Sequence, residues 1–395
     1  MDNTHLLAGD NIPIESDAYA QLKAVGQRDD CLCAVGQADL HAGPGFPIGA
    51  CFAMTHVWPR LVGGDTGCGV RFRVCRAKHR GDALVRRVNA AFDCDPLQAT
   101  DVMRAAWFGG VRGLADVDRL PTKLRQAARA AADRAPMTDL PASGPPPELS
   151  DLDTIGAGNH FAEISRVESI VDKARARALG LTKKHVAIVV HSGSRGVGTR
   201  VAARWQGGPL KDEGSVERYF AELAGCVRFA EANRFLLSWR LMSALGDTRA
   251  SESATFDLVH NTVVPYAYEG REAFLHRKGC APAGDDEDTV VLGTRGTPTW
   301  LMKGLGNERL LSSVAHGAGR RLTRGDARAR FREKYRRKDL RRTAHGGHVL
   351  CDRNEVLYEE HPGAYKDIAS VVDAIESHGL ARPVASLLPL VTVKR

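Results

Sequence analysis

The stretch Gly63-Gly64-Asp65-Thr66-Gly67-Cys68-Gly69-Val70-Arg71-Phe72-Arg73-Val74 joins two patterns. Its first half is a glycine-rich turn. Its second half alternates apolar and basic residues with period two, which predicts a strand whose end carries the turn. Four glycines let the backbone take tight or left-handed conformations, so the Asp65 carboxylate and the Cys68 thiol can converge on one point. As a thiolate Cys68 could bridge two ions, with Asp65 as a hard oxygen ligand. A turn whose cysteine is only small buried packing gives the same pattern, so the remaining ligands must be sought along the chain.

The chain has 395 residues, 43% hydrophobic and 26% charged, an ordinary balance for a soluble globular protein able to bury a large core. No apolar run is long enough to span a bilayer, and Met1-Asp2-Asn3-Thr4-His5 lacks the basic-then-apolar pattern of a secretion signal. The nine cysteines (Cys31, Cys33, Cys51, Cys68, Cys75, Cys94, Cys226, Cys280 and Cys351) show no paired spacing, which fits a reducing, cytoplasmic setting. A net charge of +8, largely from arginine, favours a polyanionic partner.

Residues 1–60 read as short strands and loops, and His41 within them as a structural histidine. Asp82 to Phe92, Leu120 to Arg134 and Glu217 to Leu245 carry helical spacing, the last with Phe220, Leu223, Val227, Ala230 and Phe235 as core positions. Pro136 to Ser150, with Pro145-Pro146-Pro147, is expected to be an exposed loop. A second glycine-rich turn, Gly156-Ala157-Gly158-Asn159-His160, precedes an alternating segment. The β-branched run Val186-Ala187-Ile188-Val189-Val190 reads as a buried strand that delivers His191 into Ser192-Gly193-Ser194-Arg195-Gly196. His260 follows another strand-like run, and His276-Arg277-Lys278-Gly279 is a basic cluster suited to phosphate. In Ala315-His316-Gly317-Ala318-Gly319-Arg320 the histidine has neighbours with almost no side chain, so a bulky group such as a nucleotide phosphate can approach it. Arg324 to Arg342 is dense in arginine, either a solvated face or a nucleic-acid footprint. His345 and His348 read as loop histidines. Together Asp65, Cys68, His160, His191 and His260 form a mixed oxygen, sulfur and nitrogen set, enough for two divalent transition ions sharing the sulfur.

The motifs Gly64-Asp65-Thr66-Gly67-Cys68-Gly69, Gly158-Asn159-His160-Phe161-Ala162-Glu163, His191-Ser192-Gly193-Ser194-Arg195-Gly196, His260-Asn261, His276-Arg277-Lys278-Gly279 and His316-Gly317-Ala318-Gly319-Arg320 resemble, in order, those of the RtcB family of RNA-splicing ligases. Glu231-Ala232-Asn233-Arg234, Ala364-Tyr365-Lys366-Asp367 and Val393-Lys394 are weaker echoes. The resemblance implies one α+β domain over residues 1–395, with mixed sheets packed against helices and a central cleft. It implies an enzyme that uses GTP and two manganese ions to join RNA ends bearing a 2′,3′-cyclic phosphate or 3′-phosphate to 5′-hydroxyl ends, in tRNA splicing or RNA repair. Cys68 then corresponds to the bridging ligand, Asp65 and His160 to one ion's shell, and His191 and His260 to the other's. His316 corresponds to the nucleophile that becomes a covalent guanylate. Asn159, His160, Phe161, Ala162, Glu163, His260, Asn261, Leu292, Gly293, Thr294, Arg295, Thr299, Gly317, Ala318, Gly319, Tyr365 and Lys394 fall at guanylate-binding positions. Arg195, Arg277, Lys278 and Arg320 are candidates for RNA phosphate, and an archease-like activator is an implied partner.

The chain departs from the family pattern at Thr294, Arg295 and Thr299, where Ser, Met and Ser are common, at Thr66 in place of isoleucine, and at the terminal Arg395 in place of glycine. Two other readings use the same residues: a two-metal RNA phosphodiesterase or phosphatase that does not join ends, and a non-catalytic basic RNA-binding protein.

Overall fold

Because the run Val186 to Val190 has no polar side chain on either face, it must be covered on both, and it lies inside an eight-stranded sheet. The computed structural model describes residues 3–9, 11–132, 141–248 and 255–395. Across this sheet run the strands Asp288–Val291, Thr299–Gly304, Ala381–Lys394, Phe161–Ile170, Val186–Ser192, Gly69–Cys75 and Thr255–Val259, each antiparallel to the next. His348–Cys351 adds in parallel beside Val391 to Lys394. A second sheet of five strands is built from Thr4–Leu6, Cys31–His41, Ile48–Met54, Arg271–Lys278 and Asn261–Tyr268. A third pairs Cys280–Pro282 with Ser313–Ala315. This is the expected α+β architecture of mixed sheets and helices.

One face of the large sheet packs Val70, Phe72, Val74 and Val189 against Leu301 and Leu387. On the other, Ile164, Ile188 and Val190 meet Leu237, Leu241 and Leu245 of the helix Glu213–Leu245. That 33-residue helix starts where the Asp212 side chain accepts from Ser215 N at 2.8 Å, and ends at Gly246 in the left-handed region, φ 74°. It is buried on most sides because the helix Thr100–Leu114 covers its back through Trp107, Val111 and Phe229.

Three local expectations need adjustment. Ser16–Gly26 is a helix where residues 1–60 were expected to hold only strands and loops; Ala18, Leu22 and Val25 supply its buried face at helical spacing. The Leu120 to Arg134 segment is a helix over Thr122–Ala132, and Arg134 lies outside the described residues. The Pro-rich segment is described from residue 141, where it has no regular structure, yet it is strapped down: Gly144 O accepts from Trp107 Nε1 at 2.8 Å and Gly144 N donates to Ala221 O at 3.1 Å.

The alternation Val70-Arg71-Phe72-Arg73-Val74 is real, but its basic face does not meet water. Arg71 is 5% exposed and sits 3.7 Å from Asp257. Beside it the long helix sends in Arg234, which is fully buried. Its Nε reaches both Asp257 carboxylate oxygens at 3.0 and 3.1 Å, and its Nη1 donates to Gly67 O and Ser192 O, each at 2.9 Å. The preceding Asn233 donates to Thr154 O at 3.0 Å and Gly193 O at 3.3 Å and accepts from Thr154 N at 3.1 Å. Two adjacent helical residues thus hold four separate chain segments, at Gly67, Thr154, Ser192–Gly193 and Asp257, in register.

Replacing Arg234 by Met leaves Asp257 and two backbone carbonyls buried without it. The expected destabilisation is about 3–5 kcal/mol, toward the lower end because Arg71 still faces Asp257. Thermal unfolding of Arg234→Met measures it, and a melting temperature equal to the wild type's would show the clamp to be dispensable.

Candidate metal centre and nucleotide cavity

The strand order determines where the candidate donors meet. His160 immediately precedes the strand Phe161–Ile170, His191 lies near the end of Val186–Ser192, Cys68 precedes Gly69–Cys75, and His260 follows Thr255–Val259. These four strands are neighbours and antiparallel, so start, end, start and end all fall on one edge of the sheet. Residues spread over nearly two hundred positions therefore converge without long loops.

The donor atoms form a chain of short contacts centred on the sulfur. Asp65 Oδ2 is 2.9 Å from His160 Nε2, Cys68 Sγ is 3.2 Å from His160 Nε2 and 3.3 Å from His191 Nε2, and the Nε2 atoms of His191 and His260 are 3.2 Å apart. Such separations suit the edges of coordination shells with bonds of about 2.0–2.3 Å. Cys68, His160 and His191 qualify by themselves as a buried triad able to hold an ion. Asp65 extends it on one side and His260 on the other.

Electrostatics favour a cation here. Burial, reinforced by the Asp65 carboxylate, pushes the Cys68 thiol well above its ordinary value, so a thiolate at neutral pH needs positive charge beside it. Burial and the neighbouring imidazoles hold His191 and His260 well below theirs, leaving both neutral as metal ligands must be. The donor set fits divalent transition metal ions.

Local backbone explains how the turns tolerate such crowding. A Cβ on Gly193 would stand 2.5 Å from Asp65 Oδ1 and 3.2 Å from Cys68 Cα, so only glycine lets the His191 loop approach the Asp65 turn. Asn261 braces the same turn, donating to Asp65 O at 3.1 Å and accepting from Gly279 N at 2.7 Å. Thr66, the departure in this motif, closes the turn by donating to Gly63 O at 2.8 Å. His260 is the single residue between a strand of the large sheet and one of the five-stranded sheet, so it links the two.

From the five-stranded sheet comes a residue that the sequence reading did not assign. Asp39 is fully buried, and its Oδ2 lies 2.7 Å from His316 Nδ1. The carboxylate accepts from Nδ1–H, which leaves the Nε2 lone pair free. Lys366 donates to the carbonyls on either side of Asp39, at 3.2 Å to Ala38 O and 2.6 Å to Leu40 O. The signal for Asp39 was a carboxylate inside a largely apolar strand that otherwise carries only Gln37 and His41 as polar side chains. The His316 ring stands 4.8 Å from that of His260 and 6.1 Å from that of His191, centroid to centroid. The small residues around His316 serve packing as well as access: a Cβ on Gly319, at φ 70°, would meet Asp39 O at 2.3 Å.

These groups open into a cavity of about 870 Å³. Asn159, Phe161, Asn261, Leu292, Gly293, Thr294, Arg295, Gly317, Ala318, Gly319, Tyr365 and Lys394 line it with His316, Cys68, Asp65, His191 and His260. Ala162, Glu163 and Thr299 are buried outside that lining; Glu163 accepts from Ser165 Oγ at 2.8 Å and Thr392 Oγ1 at 2.6 Å, and burial raises its pKa to about 7. Arg295 donates to Leu357 O at 2.7 Å. Lys394 donates to Gly158 O and His160 O at 3.0 and 3.1 Å, and Arg320 to Glu360 at 3.0 Å and to Tyr365 Oη at 3.1 Å. Lys278 faces the cavity, whereas its neighbour Arg277 points to the opposite side of the strand and donates to Ser313 Oγ at 2.9 Å. Arg195 lies against His160 Nδ1 at 3.1 Å rather than on the cavity wall. His41 lines the cavity, with Nδ1 2.9 Å from Asp39 O.

Comparison with known proteins identifies the family. The family model described as tRNA-splicing ligase RtcB matches residues 21–212 and 208–395. An RNA-splicing ligase RtcB2 of Escherichia coli is 35% identical over all of this chain and 96% of its own length. An RNA-splicing ligase RtcB of Mycobacterium tuberculosis is 28% identical, covering 90% of this chain and 95% of its own, and a tRNA-splicing ligase RtcB of Thermococcus kodakarensis is 27% identical, covering 90% and 86%. With its motifs, its mixed-sheet fold and these matches over nearly its whole length, the chain belongs to the RtcB family.

Proposed function

We propose that this protein is an RNA ligase that joins a 3′-phosphate or 2′,3′-cyclic-phosphate end to a 5′-hydroxyl end, with GTP as the activating nucleotide and His316 as the carrier of guanylate. The observation that carries this reading is the Asp39–His316 pair, at 2.7 Å, on the wall of a cavity shared with the metal donors. A two-metal phosphatase or phosphodiesterase would use such an imidazole only as a general acid or base, so a covalent guanylate on His316 separates the two readings.

Asp39 holds the proton on Nδ1, so Nε2 presents its lone pair to the α-phosphorus of GTP. The N–P bond forms as pyrophosphate leaves. A cyclic end is first opened by water, which breaks the P–O2′ bond and leaves a 3′-phosphate and a 2′-hydroxyl; the guanylate then passes from Nε2 to that 3′-phosphate, and the 5′-hydroxyl attacks the activated phosphate, losing its proton and releasing GMP. When bound, two divalent ions, manganese by the family resemblance, would supply Lewis-acid charge on the reacting phosphates through Asp65, Cys68, His160, His191 and His260. Lys278 is the cavity cation suited to RNA phosphate, whereas Arg320 is paired with Glu360. Asn159, Phe161, Leu292 to Arg295 and Tyr365 would border the guanylate, with Arg295 as a cationic substitute for the family's methionine.

Three outcomes follow. His316→Ala should form no acid-labile adduct with manganese and α-labelled GTP while retaining metal uptake; an adduct in that variant would remove His316 from the role. Asp39→Asn should keep GTP binding but slow guanylylation by about 10³-fold or more, since the amide no longer selects the Nδ1–H tautomer. An unchanged labelling rate would make Asp39 a packing residue. Because the Cys68 thiol is held protonated and His191 and His260 neutral, manganese uptake at pH 8 should release about one proton per chain, lost in Cys68→Ser. Calorimetry in two buffers of different ionisation enthalpy reads this directly, and release that survives the substitution would place the proton elsewhere.

A further inference from the structure

The positive surplus of the chain is confined to one stretch. Residues 321–342 hold 11 Lys and Arg against 3 Asp and Glu, a surplus of 8, while the whole chain holds 55 against 47, the same surplus; everything outside the stretch is balanced at 44 against 44. The stretch begins at the cavity, whose mouth is lined by Leu322, Thr323 and Arg324. Thr323 Oγ1 accepts from Asp326 N at 3.1 Å and so starts the helix Arg324–Lys334, which leads away from the mouth.

That helix buries only Ala327 and Phe331, against the helix Asn354–Glu359. Arg330, Arg332, Lys334, Arg336, Arg337 and Lys338 are exposed, and none makes an ion pair or side-chain hydrogen bond among the described residues. A helix face that is merely solvated gains from opposite charges at i, i+4. Here Arg324, Arg328 and Arg332 follow one another at that spacing, as do Arg330 and Lys334, and like charges so placed repel. Within the chain Glu359 reaches Arg328, at 3.7 Å, and counter-charge from outside relieves the repulsion that remains.

An aromatic platform stands among these cations. Tyr335, at the helix end, is 42% exposed, and its ring stacks on His361 at 4.8 Å and 24°; His361 in turn stacks on Phe331 at 4.1 Å and 29°. Burial lowers the His361 pKa to about 4, so the stack is neutral at pH 7 and presents a π face instead of another charge. Unpaired guanidinium groups around an exposed ring match a single strand, whose bases are free to stack, better than a duplex.

We propose that residues 328–342 dock the single-stranded RNA adjoining the end held in the cavity, the arginines taking backbone phosphates and Tyr335 taking a base. This rests on the ligase reading for which RNA end lies in the cavity, but docking is measurable without joining. The test titrates the full-length protein with a fluorescent, unstructured RNA of about 20 nucleotides ending in a 3′-phosphate, over a salt series. The Arg332→Gln/Arg336→Gln/Arg337→Gln variant should bind about ten-fold or more weakly near 0.1 M salt, with a log–log salt slope shallower by about 2. Tyr335→Ala should weaken binding about ten-fold with the slope unchanged, and Tyr335→Trp should restore it. GTP-dependent labelling should be the same in all of these variants and the wild type. If the wild type takes no label, the ligase reading fails while the RNA titration still reads the arm. Wild-type affinity and slope in the triple variant would overturn the proposal, as would a duplex of the same sequence that binds as tightly and ignores Tyr335→Ala.

Discussion

Everything at the candidate metal centre depends on Arg234. Four strand ends bring a thiol and three imidazoles into a chain of contacts at 3.2–3.3 Å, and nothing in those side chains favours the approach: all are buried, and neighbouring imidazoles disfavour one another's charge. The approach is enforced from behind. One guanidinium ties the carbonyl before Cys68 to the carbonyl after His191 and fixes the strand that leads to His260 through Asp257. Asn233 does the same for the His160 turn. Because the clamp sits on a helix packed on most sides, it cannot relax without moving the core.

The second half of the site is anchored independently, on the five-stranded sheet. Asp39 and Lys278 come from that sheet, and His316 follows the short strand Ser313–Ala315 packed against it. His260 joins the halves, since the chain leaves one sheet at Val259 and enters the other at Asn261. A shift between the sheets would therefore change the 4.8 Å ring separation of His260 and His316 before it disturbed either half alone. Rigid coupling of this kind suits chemistry in which a nucleophile and its charge-stabilising groups must keep one geometry.

The donors themselves were legible because each sits beside glycine, asparagine or serine at the end of an alternating or β-branched run, and strand ends are where antiparallel neighbours meet. Three kinds of residue escaped. Asp39 lies in a mostly apolar strand, and its partner is 277 positions away, so no local pattern links them. Asn233 and Arg234 lie mid-helix, where polar residues ordinarily face water; only the second helix packed behind shows that they cannot. The helix Ser16–Gly26 was hidden because its buried face rests on only Ala18, Leu22 and Val25, with small or polar residues between them. Conversely, the regular alternation at Arg71 and Arg73 says nothing about whether the basic face is wet, and here the long helix covers it.

Charge inside the cavity is divided as unequally as charge outside it. On the side of Tyr365, cations are matched: Arg320 and Lys394 both face Glu360, at 3.0 and 3.8 Å, and Arg295 is tied to a backbone carbonyl. Their positive charge is spent on shaping that wall, so it adds little net potential. On the side of Phe46, Lys278 makes no ion pair with a carboxylate among the described residues; burial and Arg60 lower its pKa to about 8, and both cations lie over the Phe46 ring, at 5.9 and 5.3 Å. A balanced wall suits the neutral base and sugar of a nucleotide, and an unbalanced one suits phosphate, whose charge would raise the Lys278 pKa and keep the ammonium protonated. The field thus runs from a balanced wall at Tyr365, across the candidate metal donors, to a cationic wall at Lys278.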